Sequence, residues 1–518
     1  ITSTASESDI RATMQAGYSG IGGSVDANLS AQQKTILQES KIKITSIGGD
    51  AEATLAMIRS GDWSQYFTNT APLSSAAPMS YTFRNLGDGS IASVTESTQY
   101  NIRSCTATQA TPGTFNFLNA QNLGLPIPAP VKVMIGDVNG NGMKDLIYNH
   151  VSANSNQTVV AFSNGDGTFL MGTPISHSAT PEHGWSQYVV KVGDFNNDGR
   201  ADLAWSRVIN TNTTYIGLSN GDGTFEEMPM FTKGGSGFGT IYQFEVGNID
   251  GKKGDDLIWN YMSNTNRTYV SLSNGDGTFG IDNFEGTAGM FQDHPQNSWN
   301  NTNFVFSVAD INGNGRHDLI WHTKGIIGNL GHGVWIAESK RDQPGNIFDF
   351  RAGFRRNTNN WQDYRVVIGD VDGNAGVDIV WVNPKRASGG IGIHRDMSTG
   401  SVPPLATVPF QIYTGDDGET DYSSYDMRAV LLDVNGDGRK DLLINRMDAV
   451  NQSIIGLGRD SAPFDFSRIS QDHPAFDQWA QFQILTGDIN GDSREDVIYV
   501  NADATNTVYV GLARGSAQ

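Results

Sequence analysis

Residues with oxygen side chains recur in a fixed order along most of this chain. The pattern Asp-x-Asn/Asp-Gly-Asn/Asp-Gly-x-x-Asp places them at positions 1, 3, 5 and 9 of a nine-residue loop. A hard cation such as Ca2+ requires several oxygen ligands, and glycine at positions 4 and 6 allows the backbone to turn tightly around the ion. Clear copies begin at Asp137, Asp194, Asp310, Asp370, Asp433 and Asp488, and a degenerate copy begins at Asn248.

Carboxylates dominate these ligand positions. Of the 28 positions, 18 are Asp, nine are Asn and one is Lys252, which makes the third loop doubtful as a metal site. We therefore expect six or seven calcium ions, with magnesium a poorer fit to irregular cages of protein oxygens. The alternative is a set of Asx-Gly turns that need no metal. The candidate ligands are Asp137, Asn139, Asn141, Asp145, Asp194, Asn196, Asp198, Asp202, Asp250, Asp256, Asp310, Asn312, Asn314, Asp318, Asp370, Asp372, Asn374, Asp378, Asp433, Asn435, Asp437, Asp441, Asp488, Asn490, Asp492 and Asp496.

The spacing of the loops predicts the fold. Successive copies lie 54 to 63 residues apart, and each unit carries several short β runs separated by Gly, Asp and Pro turns. A period of this length with about four strands is typical of a propeller blade. We predict a mainly β fold, with a seven-bladed β-propeller over residues 111–518 and a small α+β segment over residues 1–110. Residues 113–119 (GTFNFLN) should supply the outer strand that the last blade lacks.

The loops resemble a known calcium-binding repeat. They are similar to the FG-GAP (VCBS-type) repeats of integrin α-chain propellers and of seven-bladed fungal and bacterial lectins. The resemblance implies calcium in the loops and a role in adhesion, sugar binding or scaffolding, because one fold hosts all three.

Aromatic and histidine residues recur shortly before several loops. An aromatic ring beside polar groups can hold a sugar, since its face stacks on CH groups while the hydroxyls form hydrogen bonds. The resemblance to lectins implies sugar pockets between neighbouring blades. The alternative is that each tryptophan packs between blades and each histidine caps a loop. The candidate sugar-binding residues are His183, Trp185, His294, Trp299, Trp361, His473 and Trp479.

Composition excludes several classes of protein. The chain has 35 Lys and Arg against 55 Asp and Glu, a formal net charge of −20, which argues against a nucleic-acid partner. The single cysteine, Cys105, excludes an intramolecular disulfide framework. No Gly-x-Ser-x-Gly, phosphate-loop or His-Glu-x-x-His motif is present, so we expect a protein that is not an enzyme. The start at Ile1, without a signal-peptide pattern, suggests a processed piece of a longer chain.

The first 110 residues have a different character. Residues 10–19 and 25–32 alternate apolar with polar or small residues around a Gly-rich turn, as membrane-spanning β-hairpins do. The same stretch also fits an amphipathic helix, with Ile10, Met14, Tyr18 and Ile21 on one face.

Residues 1–104 resemble the C-terminal part of the pore-forming core of cholesterol-dependent cytolysins. The similarity lies in ITSTASESDIRATMQAGYSG, KIKITSIGGDAEA and PMSYTFRNLGDGSIASV. The first hairpin and the cholesterol-binding parts of that family are absent, so cholesterol recognition is not implied.

Together these features predict a secreted, calcium-stabilised, glycan-binding propeller that serves as the receptor-binding part of a pore-forming toxin. Its partner would be a cell-surface glycan, and it would meet the membrane only through the full-length oligomer. The alternative is a free-standing lectin, adhesin or protein-binding scaffold without pore formation.

Overall fold

The computed structural model of the chain divides into two units, Ile1–Ser104 and Cys105–Gln518. The predictions for residues 1–110 lie outside the described residues. The structure describes residues 113–514 except 179–180, 182–183, 209–212, 233–241, 253, 264–265, 281–290, 295–302, 324–331, 341–346, 357–364, 383–390, 395–426, 448–451, 461–463, 467–469, 473–478 and 502–504.

The described residues form thirty strands. The first are β1 (Thr114–Phe117), β2 (Gln121–Asn122), β3 (Lys132–Gly136), β4 (Asp145–Val151), β5 (Asn156–Ser163), β6 (Phe169–Met171) and β7 (Ile175–Ser176). These are followed by β8 (Tyr188–Gly193), β9 (Asp202–Arg207), β10 (Thr213–Ser219), β11 (Phe225–Glu227), β12 (Phe231–Thr232), β13 (Tyr242–Gly247), β14 (Asp256–Met262), β15 (Asn266–Ser271) and β16 (Phe291–His294). Next come β17 (Phe304–Ala309), β18 (Asp318–Thr323), β19 (His332–Ser339), β20 (Phe348–Arg356), β21 (Arg365–Gly369), β22 (Asp378–Val382) and β23 (Ile391–His394). The last are β24 (Met427–Leu432), β25 (Asp441–Arg446), β26 (Gln452–Gly456), β27 (Ser470–Asp472), β28 (Gln483–Gly487), β29 (Asp496–Asn501) and β30 (Thr507–Arg514).

The strands form antiparallel sheets, one for each sequence repeat, which confirms the mainly β propeller. Six sheets are complete blades of four or five strands, and the sheet of the fifth repeat has three described strands, β21 to β23. The described residues thus hold six complete blades rather than the predicted seven. Residues 395–426, which follow β23, lie outside the described part of the chain. Helical structure in the described part is confined to short 3-10 turns such as Trp185–Gln187 and Trp479–Gln481.

Each blade is built around one of the predicted loops. The first strand ends just before loop position 1, and the second strand begins at position 9, as β3 and β4 do around Asp137 and Asp145. The first strands of neighbouring blades, such as β3 and β8, lie next to one another, which places them at the centre of the ring. The second strands are buried along nearly their whole length because both sheet faces are covered by neighbouring blades.

The hydrophobic core lies between adjacent sheets. One cluster joins Ile147 and Val160 of the first blade to Leu203 and Trp205 of the second. Another joins Leu146 of the first blade to Ile498 of the last. Alternate residues of a strand point to opposite faces, so each blade contributes to two such clusters.

The two ends of the propeller meet in one sheet, as predicted for residues 113–119. Strand β1 pairs antiparallel with β30, with Thr114 opposite Arg514 and Phe117 opposite Gly511. Strand β2 also pairs with β30. This pairing confirms that a segment before the first loop supplies the outer strand of the last blade.

Backbone hydrogen bonds between successive loops also close the ring. In each loop the backbone N–H of position 8 donates to the carbonyl of position 1 in the preceding loop. The seven bonds, 2.6–2.9 Å long, form a cycle in which Lys144 donates back to Asp488. The others run from Ala201 to Asp137, Asp255 to Asp194, His317 to Asn248, Val377 to Asp310, Lys440 to Asp370 and Glu495 to Asp433.

Candidate functional site

The loops are shaped by their first aspartate. In the first loop, Asp137 accepts backbone N–H groups from Gly140 at 2.7 Å, Asn141 at 3.1 Å and Gly142 at 2.7 Å. Gly140 and Gly142 have φ angles of 73° and 87°, a left-handed backbone that glycine adopts without steric cost. Position 1 therefore folds the loop back on itself, while the side-chain oxygens of Asn139 and Asn141 accept the N–H groups of Asn141 and Met143 at 3.0 and 2.8 Å.

The aspartate at position 9 anchors each loop to the sheet. Asp145 is fully buried and accepts backbone N–H groups of Val138 and Ser163, each at 2.9 Å. Burial is the main cause that raises the pKa of Asp145 to about 6 and the pKa of Asp202 to about 7. The same cause raises the pKa to about 7 in Asp256, Asp318, Asp441 and Asp496. A buried carboxylate at each of these loops would be stabilised by a nearby cation.

Two observations show that the loops fit such an ion. In the fourth loop, Oδ1 of Asn312 at position 3 is buried and accepts no hydrogen bond from the described residues. In the fifth loop, carboxylate oxygens of Asp370, Asp372 and Asp378 lie within 4.8 Å of one another. A cleft of about 590 Å3 adjoins the fifth loop and is also lined by Arg439 and Asp460. Oxygen donors of this kind suit Ca2+, and the cleft leaves a route from solvent.

Arginine at position 7 modifies three of the loops. Arg439 pairs with Asp437 at position 5 of its own loop, at 2.7 Å, and Arg200 and Arg494 pair in the same way with Asp198 and Asp492. The aliphatic stem of Arg439 also lies over Gly373 of the preceding loop. In these loops the position-5 carboxylate therefore has a cation partner on its own chain.

The two described tryptophans of the predicted sugar set are buried. Trp185 is 3% exposed and packs against Tyr188 and Tyr215 at ring distances of 5.2 and 4.9 Å. Trp479 is 0% exposed and packs against Phe482 and Tyr509 at 5.1 and 4.8 Å. Both indoles are thus covered by protein rings, as the packing alternative predicts.

His294 is also held between blades. Its Nε2 lies 2.9 Å from Oγ1 of Thr268, and its ring lies 4.7 Å from that of Trp321 in the next blade. Burial lowers the pKa of His294 to about 3, so the imidazole is neutral. The first blade repeats this arrangement with His177, Thr158 and Trp205. The other candidates, His183, Trp299, Trp361 and His473, lie outside the described residues.

Sequence reasoning missed a group of tyrosines at the end of the ring opposite the loops. Tyr215, Tyr261 and Tyr269 are partly exposed, near the ends of strands that point away from the loops. Tyr242 contacts Tyr261 and Tyr269 at ring distances of 5.3 and 6.1 Å. We call Tyr261 and Tyr269, which both contact Tyr242, the tyrosine patch, whereas Tyr215 packs on Trp185 and Tyr188 between the first two blades. The Thr-Tyr pair at the start of β10 and again in β15 was the available signal.

A charged pair adjoins the tyrosine patch. Arg267 donates through Nε and Nη2 to the two carboxylate oxygens of Asp293, at 2.5 and 2.7 Å. Both residues lie on the outer strands of the third blade, which also carries Tyr269. The side-chain hydrogen bond to Asp293 is the main cause that raises the pKa of Arg267, and the same bond lowers the pKa of Asp293. Fixed polar groups thus stand beside partly exposed aromatic rings.

A comparison with protein families identifies one repeat. A family model described as an FG-GAP-like repeat matches residues 137–205, from the first loop to the second strand of the next blade. The chain therefore contains an FG-GAP-like repeat, as its loops predicted. No curated protein matches the chain.

Several solved structures resemble the chain at low identity. A lectin from Agrocybe aegerita, in a study of specific recognition of non-reducing terminal N-acetylglucosamine, is 19% identical over 66% of this chain and 79% of that chain, with a TM-score of 0.47. The rhamnogalacturonan lyase YesW is 13% identical over 79% of this chain and 76% of that chain, with a TM-score of 0.39. The Photorhabdus luminescens Tc holotoxin pore is 13% identical over 71% of this chain and 17% of that chain, with a TM-score of 0.34. All three TM-scores are below 0.5.

Among the described residues, no helix has both the length and the apolar character needed to cross a membrane.

Proposed function

We propose that this chain is a secreted, calcium-stabilised propeller that binds cell-surface glycan. The observation that carries glycan binding is the tyrosine patch, where partly exposed rings adjoin the fixed Arg267–Asp293 pair. Aromatic faces can stack on the CH groups of a sugar, and the charged pair and tyrosine hydroxyls can bind its hydroxyl groups. Several similar blades in one ring would add avidity to weak individual sites.

Calcium would act on structure rather than on chemistry in this proposal. The ions would be held by the loop oxygens, chiefly the aspartates at positions 1 and 9, and would neutralise carboxylates that are buried in each blade. Because the loops are joined in a hydrogen-bonded cycle, an ion in one loop would also steady its neighbours. Sugar contact would take place at the other end of the ring.

A glycan array probed with the whole chain in the presence of calcium tests sugar binding. We expect discrete hits, and Tyr269→Ala should weaken the best of them by about three- to tenfold, since aromatic contacts contribute about 0.5–1.5 kcal/mol beyond area burial. Leu170→Ala is a matched control, because Leu170 is 64% exposed but lies on β6, outside the tyrosine patch. An array without hits, or equal losses in both variants, would remove glycan binding.

A second candidate function is a protein-binding scaffold. It is favoured by the burial of Trp185 and Trp479, since neither indole offers an open face to a sugar. A negative array together with a chelator-sensitive fold is the combination of results that this candidate predicts.

We further propose that residues 1–110 couple the propeller to a pore-forming core. The support is the alternation of residues 10–19 and 25–32 and the resemblance to cytolysins. If this segment inserts as a hairpin, Met14→Arg places a charge on its lipid face, which costs about 2–4 kcal/mol at the bilayer midplane. Gln15→Arg is the control because adjacent strand residues face opposite sides.

Vesicle leakage by the full-length, oligomerised protein is the measurement for this second proposal. We expect leakage to fall at least tenfold in Met14→Arg and to persist in Gln15→Arg. Equal leakage from the two variants, or none from the unmodified protein, would favour a free-standing lectin or adhesin.

A further inference from the structure

The third loop differs from the other six at two ligand positions. Position 1 is Asn248 instead of Asp, and position 5 is Lys252 instead of Asn or Asp. Nζ of Lys252 lies 3.1 Å from Oδ2 of Asp250 at position 3. An ammonium from a ligand position therefore pairs with a carboxylate at another ligand position of the same loop.

The amide of Asn248 closes the loop from within. Its Nδ2 donates to the backbone carbonyl of Lys252 at 2.7 Å, and its Oδ1 accepts the N–H of Gly251 at 2.8 Å. In the sixth loop the corresponding Asp433 has two acceptor oxygens, which take the N–H groups of Gly436 and Gly438 at 2.7 and 2.8 Å. The third loop thus has an N–H donor where the sixth has a second carboxylate oxygen, and a donor cannot ligate a cation.

The charge of the third loop also disfavours calcium binding. Asp250 and Lys252 cancel formally, which leaves Asp256 as the one uncompensated carboxylate among its four ligand positions. Each of the other loops carries two or three aspartates at these positions, and the three loops in which an arginine pairs with the position-5 aspartate still carry two others. Calcium affinity depends on the charge count of the ligands, so the third loop should bind the ion far more weakly.

The third loop nevertheless keeps its place in the ring. His317 of the fourth loop donates its backbone N–H to the carbonyl of Asn248 at 2.6 Å. Asp255 of the third loop donates to the carbonyl of Asp194 at 2.8 Å, as its counterparts do elsewhere. The hydrogen bonds to both neighbours are therefore present in a loop that contains its own cation.

We propose that Lys252 is the built-in counter-ion of the third loop and that this loop folds without calcium while the other six bind it. The inference rests on the proposed calcium binding, and it adds which loops are occupied and the residue that decides it. The third blade would then keep its loop structure without calcium, whereas the loops of the other six blades would depend on the ion.

Equilibrium dialysis with radioactive calcium tests the stoichiometry. The unmodified chain should bind six ions, and the double variant Asn248→Asp with Lys252→Asp should bind seven. Lys440→Asp is the matched control, because Lys440 also pairs with a carboxylate beside a loop, Glu495 at 2.6 Å, but stands at position 8. This control should remain at six ions.

The outcomes separate the inference from the proposal beneath it. Seven ions on the unmodified chain, or no seventh ion on the double variant, would overturn the role of Lys252 while calcium binding stands. A seventh ion on Lys440→Asp would attribute the gain to charge alone and would also overturn it. No bound calcium on the unmodified chain would remove both.

Hydrogen exchange gives a second measurement that needs no variant. Removing calcium should increase exchange in peptides that cover the first and sixth loops, and should leave residues 248–256 unchanged. Increased exchange in the third loop to the same extent as in the others would contradict a built-in counter-ion.

Discussion

At the scale of single residues, the aspartate at position 9 joins each loop to its sheet through buried hydrogen bonds. Asp202 is 0% exposed and accepts the backbone N–H groups of Phe195 at 2.9 Å and Ser219 at 2.7 Å. Asp202→Ala would leave both donors buried without an acceptor, at about 1–3 kcal/mol each. We expect the free energy of unfolding, measured by urea titration, to fall by that amount for each lost bond.

The control for Asp202 lies in the same blade. Asp222 accepts the N–H and hydroxyl of Thr224 in an exposed turn, so Asp222→Ala should change stability little. A similar loss of unfolding free energy in both variants would mean that burial of the carboxylate does not determine its contribution to stability.

Residue types and spacing predicted the loops but only part of their electrostatics. The oxygen pattern put Asp370, Asp372 and Asp378 in one loop, and their carboxylate oxygens lie within 4.8 Å of one another. It could not show that Arg439 pairs with Asp437, because side-chain direction depends on the neighbouring blade. The sequence also could not distinguish a tryptophan that binds sugar from one that packs between blades, because both roles place the same aromatic residue shortly before the first strand.

At the scale of elements, the closing strand β1 links the two ends of the propeller. Phe115 is 1% exposed and belongs to the same core cluster as Trp479 and Tyr509 of the last blade. Phe115→Ala should cost about 3–5 kcal/mol, the usual range for a buried phenylalanine. Urea unfolding gives the loss, and hydrogen exchange in β30 should rise with it because β1 is its outer neighbour.

The neighbouring residue provides the comparison for this strand. Asn116 is exposed and accepts one hydrogen bond from Arg514 at 3.0 Å. Asn116→Ala should therefore leave both unfolding and exchange nearly unchanged. If the two variants behaved alike, β1 would be a dispensable addition to the last blade.

Strand order was predictable where the repeat was regular. The assignment of residues 113–119 (GTFNFLN) to the outer strand of the last blade predicted β1, and the short β runs of each repeat predicted the main strands. The two-residue strands β2, β7 and β12 could not be predicted, because so few residues carry no alternation. The tyrosine patch was missed because Tyr261 and Tyr269 come together with Tyr242 only when the sheet folds.

At the scale of the whole molecule, the net charge of −20 is concentrated in the ring of loops. Eighteen aspartates occupy the proposed ligand positions, and the position-9 members begin the buried second strands. Without cations, ionising these buried groups opposes folding because burial disfavours the charged form. The stability of the molecule should therefore depend on calcium and pH together.

The sign of this dependence follows from the pKa shifts. Burial raises the pKa of Asp202 and Asp441 from about 4 in the unfolded chain to about 7. The calcium-free fold then holds more protons than the unfolded chain between these pH values, so its stability should fall as pH rises from about 4 to 7 and level off above pH 7.

Calcium binds the ionised form of these aspartates, and free calcium at 100 times the Kd of a site adds about 2.7 kcal/mol to the stability of the fold. The rise in Tm on adding calcium to calcium-free protein should thus be larger at pH 7.5 than at pH 5, as scanning fluorimetry can measure. An equal rise in Tm at the two pH values would mean that ionisation of the buried aspartates is not linked to calcium binding.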